Sequence, residues 1–165
     1  MDSKSVLNWI FTIDTLNFCF WSPSAENLFT VEYEGSRYDG YMSLVVAIDR
    51  ALAEGIPITT AEYQRDLTRE KLQHIFRSCN GTQVPLLEER LQVLKVSFPN
   101  ETQSNQQEAG TVLCDKFHGS FMNCVEQSNH SCMTLLKMVV THFDSYKDEH
   151  TFQGQAGSHT SLQRS

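Results

Sequence analysis

The sequence predicts a mainly α, multi-helical protein with one small β-hairpin near residues 28–39. Three observations carry this. Apolar residues recur at three- and four-residue steps through most of residues 6–143, period-two alternation is confined to one short window, and Gly, Pro and capping residues punctuate the helical runs. A chain of 165 residues is long enough for one ordinary domain, burying roughly two thirds of the surface its unfolded form exposes.

The first element is a helix in which Val6, Trp9, Ile10, Ile13, Leu16 and Phe20 share one broad apolar face. The run from Val6 to Trp21 is interrupted by Asn8, Asp14 and Asn17. It is shorter than the ~20 residues a membrane span needs, and no small-residue cleavage site follows. It reads as a core helix of a cytoplasmic or nuclear protein, with no membrane contact. Asp14 and Asn17 lie one turn apart on it, as a hydrogen-bonded structural node or as part of a polar pocket, the node being favoured.

Phe29 to Tyr33 alternates, Glu34-Gly35-Ser36 supplies turn chemistry, and Arg37-Tyr38-Asp39 resumes, which gives the hairpin. Helical spacing returns with Leu44, Val45, Ile48 and Leu52, and Gly55 followed by Pro57 ends that helix. Thr59 and Glu62 have the spacing of a capping box, and Leu67 and Leu72 flank Thr68 as a hydrophobic staple, so two helices start in succession. The second stops near Asn80-Gly81. Pro85 opens another with Leu87, Leu91 and Leu94, on which Glu88-Glu89-Arg90 reads as a solvated face. The polar stretch over residues 97–107 reads as a mobile surface loop, and its Asn100-Glu-Thr sequon has no secretory context. Helices follow around Val112 to Phe117, from Phe121 to Val125, and through Leu135, Leu136, Val139, Val140 and Phe143. After Gly154 the sequence loses its apolar content and reads as a disordered tail over 154–165.

A net charge of −7 with no Lys/Arg stripe argues against gripping nucleic acid directly. A single nucleotide needs only one or two cations or a helix N-terminus. Five cysteines (Cys19, Cys79, Cys114, Cys124, Cys132) read as buried free thiols. His130 and Cys132 near Cys124 match no common zinc spacing. The histidines His74, His118, His130, His142, His150 and His159 are dispersed, and each reads as a packing or surface residue. There is no Gly-rich phosphate loop, nucleophile elbow or His-Glu-x-x-His, so no catalytic, substrate-binding, metal or cofactor residue is assigned from the sequence.

Particular wording goes further than periodicity. Asn8 to Ser22, with Asp14-Thr-Leu-Asn-Phe-Cys-Phe-Trp21 at its centre, resembles the aromatic signature of the queuosine salvage protein family. Tyr38 to Leu44, Asp49 to Thr59, Pro85 to Arg90 and Phe117 to Cys124 follow in the family's order. The resemblance covers residues 6–153 as the N-terminal half of a typical member, with a loop insertion near 96–107 and an unrelated tail over 154–165. It implies a fold similar to helical DNA glycosylases. It also implies hydrolysis of queuosine 5′-phosphate to release queuine for transfer RNA modification, with neither metal nor cofactor. The family's catalytic aspartates are implied to lie in its C-terminal half, so Asp14 is given a supporting place beside the pocket and the chain by itself is expected to be inactive. Phe18, Phe20 and Trp21 could line a base-binding surface, although an aromatic stripe at helical spacing is more often core. The alternative is a non-catalytic helical module that docks a protein partner.

Overall fold

A computed structural model describes residues 2–20, 28–94, 109–143, 146, 149–152 and 155–158. Its helices are α1 (Ser3–Leu16), α2 (Gly40–Ala53), α3 (Ala61–Arg65), α4 (Arg69–Ile75), α5 (Leu87–Leu94), α6 (Ala109–Phe117), α7 (Phe121–Gln127) and α8 (Cys132–His142). The strands are β1 (Val31–Tyr33), β2 (Ser36–Tyr38), β3 (Glu149–Phe152) and β4 (Gln155–Ser158), paired as two antiparallel hairpins, β1 with β2 and β3 with β4. The fold is mainly helical with a small hairpin where the alternation put it. Among the described residues no helix is long and apolar enough to cross a membrane.

The first hairpin registers Val31 on Tyr38 and Tyr33 on Ser36, leaving Glu34 and Gly35 as a two-residue turn. Both have positive φ, 50° and 76°. That is the geometry a twisted two-residue loop requires, and one Gly Cα relieves half of it. The second hairpin was not legible. Gln155–Ser158 lies inside the segment expected to be a disordered tail, yet it pairs with Glu149–Phe152. Neither strand has the apolar alternation that marks a half-buried strand. Residues 97–107 lie outside the described residues.

Two apolar clusters form the core. The larger gathers Ile13, Leu16 and Phe20, the hairpin's Val31, Leu44 and Ile48 of α2, and Leu72, Ile75, Leu87 and Leu94 of α4 and α5. The smaller gathers Phe11, Val112, Leu113, Phe117, Cys124 and Phe143. Helix α1 is the wall between them. Its buried positions therefore follow two arcs, and Val6 and Ile10, expected in the core, are 38% and 42% exposed on the remaining arc. Between the arcs runs a polar seam. Thr12 Oγ1 donates to Asn8 O at 2.8 Å, Gln64 Nε2 donates to Thr12 Oγ1 at 3.0 Å, and Asn8 Oδ1 accepts from the Phe121 amide at 3.1 Å.

Helix ends mostly follow the local signals. Gly55 sits at φ 79°, with Ile56 N–H on Ala51 O (2.9 Å) and Gly55 N–H on Leu52 O (3.0 Å), the paired bonds of a Schellman end. Thr68 caps α4 by accepting from Lys71 N–H, and Leu67 and Leu72 are both buried as its staple. Three boundaries are corrected. The cap of α3 is Thr60, not Thr59, and its hydroxyl donates back to Pro57 O instead of capping. Helix α4 ends at Ile75, before Asn80-Gly81, because Cys79 N–H is drawn to Thr30 O and Arg50 takes the carbonyls of Ile75 and Arg77. Helix α5 begins at Leu87, after Leu86 at φ 53°, so Pro85 precedes the helix.

Candidate functional site

The chemistry concentrates where α1 ends. Asn17 caps the helix and Phe18 N–H bonds Leu16 O, after which Cys19 takes φ 50°. A helix C-terminus leaves carbonyls without partners. Here Arg90, reaching across from α5, supplies the donors. Its Nη1 donates to Leu16 O at 2.5 Å, its Nη2 to Phe18 O and Cys19 O at 2.5 and 3.4 Å, and its Nε to Pro85 O at 2.8 Å. The guanidinium lies 4.5 Å from the Phe18 ring centroid and 4.1 Å from that of Phe20.

Arg90 is 0% exposed, and among the described residues no carboxylate forms a salt bridge with it. Burial pushes its pKa down to about 10. The reading of Glu88-Glu89-Arg90 as a solvated face therefore holds for the two glutamates, which are exposed, and fails for Arg90. The missed signal was spacing: Arg90 lies three residues after Leu87 and four before Leu94, on the buried side of the helix.

Asp14 is exposed, and its carboxylate has no hydrogen bond or ion pair among the described residues, so it is not the buried node expected. The protein surface around it still removes enough water to raise its pKa. The next residue, Thr15, is buried and shares a 3.4 Å hydrogen bond with the Tyr146 hydroxyl, whose pKa burial pushes up to about 12. Asn17 is exposed beside the turn. Phe18 is half-buried and Phe20 buried, both with a ring face on the Arg90 guanidinium and Phe20 also in the larger cluster, and Trp21 lies outside the described residues.

The other candidates disperse. Cys124 is buried in the smaller cluster, where burial pushes its thiol up to about 11. Cys19, Cys79 and Cys132 are exposed and Cys114 is half-buried, which corrects the expectation of buried thiols. Cys19, Cys79 and Cys132 sit at helix ends and turns, where an apolar neighbour in sequence does not guarantee cover. Among the described residues no three His, Cys, Asp or Glu side chains converge as a metal site would require. His74 pairs with Glu54, His142 stacks edge-on against Phe117, and His118 and His130 are exposed. His150 lies in β3, and His159 is outside the described residues.

The family profile described as queuosine salvage protein matches residues 1–158. The chain belongs to the queuosine salvage protein family. It is 45% identical over 152 residues to the queuosine 5′-phosphate N-glycosylase/hydrolase of Bos taurus and 41% identical over 152 residues to that of Mus musculus. To the protein of that name from Sphaerobacter thermophilus it is 33% identical over 152 residues. Each of these alignments covers 92% of this chain, whereas the chain spans only 41 to 42% of the length of the relatives.

The queuosine salvage wording in the sequence has a structural meaning. Of the four blocks that follow the first, three bond directly to it. Asp49 Oδ1 accepts from Trp9 Nε1 at 2.8 Å, Arg90 holds the carbonyls of Leu16, Phe18 and Cys19, and the Ser120-Phe121 corner binds Asn8 Oδ1. At that corner Gly119 has φ 77°, which favours glycine, and a Cβ there would meet the end of the Glu62 side chain, Oε1, at 2.7 Å. These blocks fix the position and the end of α1.

Proposed function

We propose that this chain forms the substrate-handling part of a queuosine 5′-phosphate N-glycosidase, with the turn after α1 facing the ligand. The observation that carries this is the 45% identity, over 152 residues, to the bovine enzyme of that name. Hydrolysis of an N-glycosidic bond passes through an oxocarbenium-like sugar and needs a fixed carboxylate to stabilise it and to place water. Asp14 is a supporting carboxylate in this reading. Its raised pKa and lack of a hydrogen-bond partner among the described residues leave it able to take a proton or a ligand hydroxyl. Turnover itself draws on the part of the family's length that the match leaves uncovered, including the catalytic aspartates. The reaction uses no metal, takes place in the cytoplasm or nucleus, and is carried on a domain built like the helical DNA glycosylases.

Calorimetric titration with queuosine 5′-phosphate, paired with mass-spectrometric detection of queuine, tests the reading. The chain by itself should bind queuosine 5′-phosphate saturably, bind guanosine 5′-phosphate at least tenfold more weakly, and release no queuine while the bovine enzyme does. Equal affinity for the two nucleotides, or no binding, would overturn it.

A further inference from the structure

Helix α8 buries its side chains less than any other helix. Each of α1 to α7 contributes at least one fully buried side chain, and among the described residues α8 contributes none. Its sequence carries two apolar stripes. Leu135, Met138 and Val139 pack on the smaller cluster and are half-covered. At 100° per residue, Met133, Leu136 and Val140 fall on the opposite side together with Lys137. Met133 is 63% exposed, and Leu136 and Val140 are half-buried but belong to neither core cluster. A surface helix normally turns a polar face outward, and a second apolar stripe marks a contact surface.

We infer that the outward face of α8 docks the part of the queuosine salvage fold that lies beyond the matched stretch in the relatives. Two observations choose this occupant. The same 152 residues that make up 92% of this chain make up only 41% of the bovine protein, so in that protein they share one chain with more than an equal length of polypeptide. A second copy of this chain is the poorer fit. Each copy carries −7, which sets the two repelling on approach. The stripe itself has no carboxylate and one cation, Lys137, so it suits an apolar partner with an acidic rim.

The inference rests on the proposed function for the identity of the partner, and the experiment keeps the two apart. The chain is mixed with the separately produced portion of the bovine enzyme that lies outside its matched stretch. Light scattering after size exclusion reads assembly, hydrogen exchange reads α8, and queuine release reads activity. A 1:1 complex is expected, with slowed exchange in α8. Leu136→Glu and Met133→Glu should each weaken it by roughly 100-fold, as losing a large apolar side chain from an interface and placing a charge there implies. Arg37→Ala, in the distant first hairpin, should leave it unchanged. Met133→Glu alters a side chain already mostly in water, so its far-ultraviolet spectrum should match the parent and keep the test valid if Leu136→Glu misfolds. No complex, a complex indifferent to both substitutions, or dimerisation of this chain through α8 would each overturn the docking face. A complex that forms as expected but releases no queuine leaves the face standing and removes the proposed activity.

Discussion

Replacing Arg90 should destabilise the protein severely, and lysine should be no better than methionine. The guanidinium donates to the carbonyls of Leu16, Phe18, Cys19 and Pro85 and fills the space between two phenylalanine rings. Hydrogen bonds from a charged donor contribute about 1.5–3 kcal/mol each before desolvation is counted. Against them stands the cost of burying the cation: a pKa moved from 12.5 to about 10 corresponds to about 3 kcal/mol. Arg90→Met removes that cost together with the bonds, leaves the carbonyls of the α1 end unsatisfied, and should cost about 3 kcal/mol net. Arg90→Lys keeps a buried charge but presents one ammonium where a planar fork served four acceptors, so it should cost about 3–5 kcal/mol.

Urea denaturation followed by circular dichroism at 222 nm would report both variants. In a protein of this size such losses correspond to a fall in melting temperature of roughly 6–20 °C. The slope of the transition should be unchanged, as the core itself stays intact. An Arg90→Lys variant within 1 kcal/mol of the parent would show that charge alone, not the fork, holds the turn, and would refute the reasoning.

Gly119→Ala should cost about 1–2 kcal/mol in the same assay, mostly from the positive φ, because the nearby Glu62 carboxylate can swing aside. Thr68→Ala should lose about 1 kcal/mol through the α4 cap, whereas Thr60→Ala should lose clearly less, since Thr60 makes no side-chain cap. Asp14→Asn should stabilise the protein at pH 7 by a few tenths of a kcal/mol after solvent screening. The folded state holds the Asp14 proton more tightly than the unfolded one, so the parent gains stability as pH falls and the difference between the two melting temperatures should vanish in acid. Tyr146 should ionise near pH 12 in an ultraviolet titration, and Tyr146→Phe should remove that step. Its raised pKa adds stability that is complete below pH 10 and is lost as pH rises toward 12.

How much was legible follows from which forces are local. The first hairpin, the Gly55 end and the Thr68 staple are set by residues within a turn of one another, and each stands where the sequence put it, whereas the helical runs recur with shifted ends, α1 stopping at Leu16 short of Phe20. The misses are tertiary. Val6 and Ile10 lie at perfect helical spacing, yet a helix shared by two clusters has its buried arcs elsewhere. Helix α4 stops early because Thr30, distant in sequence, claims the Cys79 amide. Arg90 departs from the solvated face because spacing outweighs charge there, and three of its four carbonyl partners lie 71 to 74 residues away. Asp14 was read as a structural node from the apolar residues around it in sequence, whereas on the helix it falls on the arc with Ile10 that neither cluster claims.

That uncommitted arc is where fold and function meet. Helix α1 is held on one side by the larger cluster and on another by the smaller, and the Asn8-Thr12-Gln64 seam fixes its rotation between them. A helix pinned in rotation and locked at its end by Arg90 can present one side chain to a ligand at a defined position, because neither the backbone nor the turn needs to reorganise on binding. Asp14 occupies the last turn of α1 on that free arc, next to Thr15, which reaches Tyr146. The arrangement spends buried polar groups and a buried cation on holding a single helix end still. A fold that only needed to close its core would use apolar residues at those positions. In the function proposed above, the positional precision of the α1 end, rather than any isolated reactive group, is what this chain would contribute.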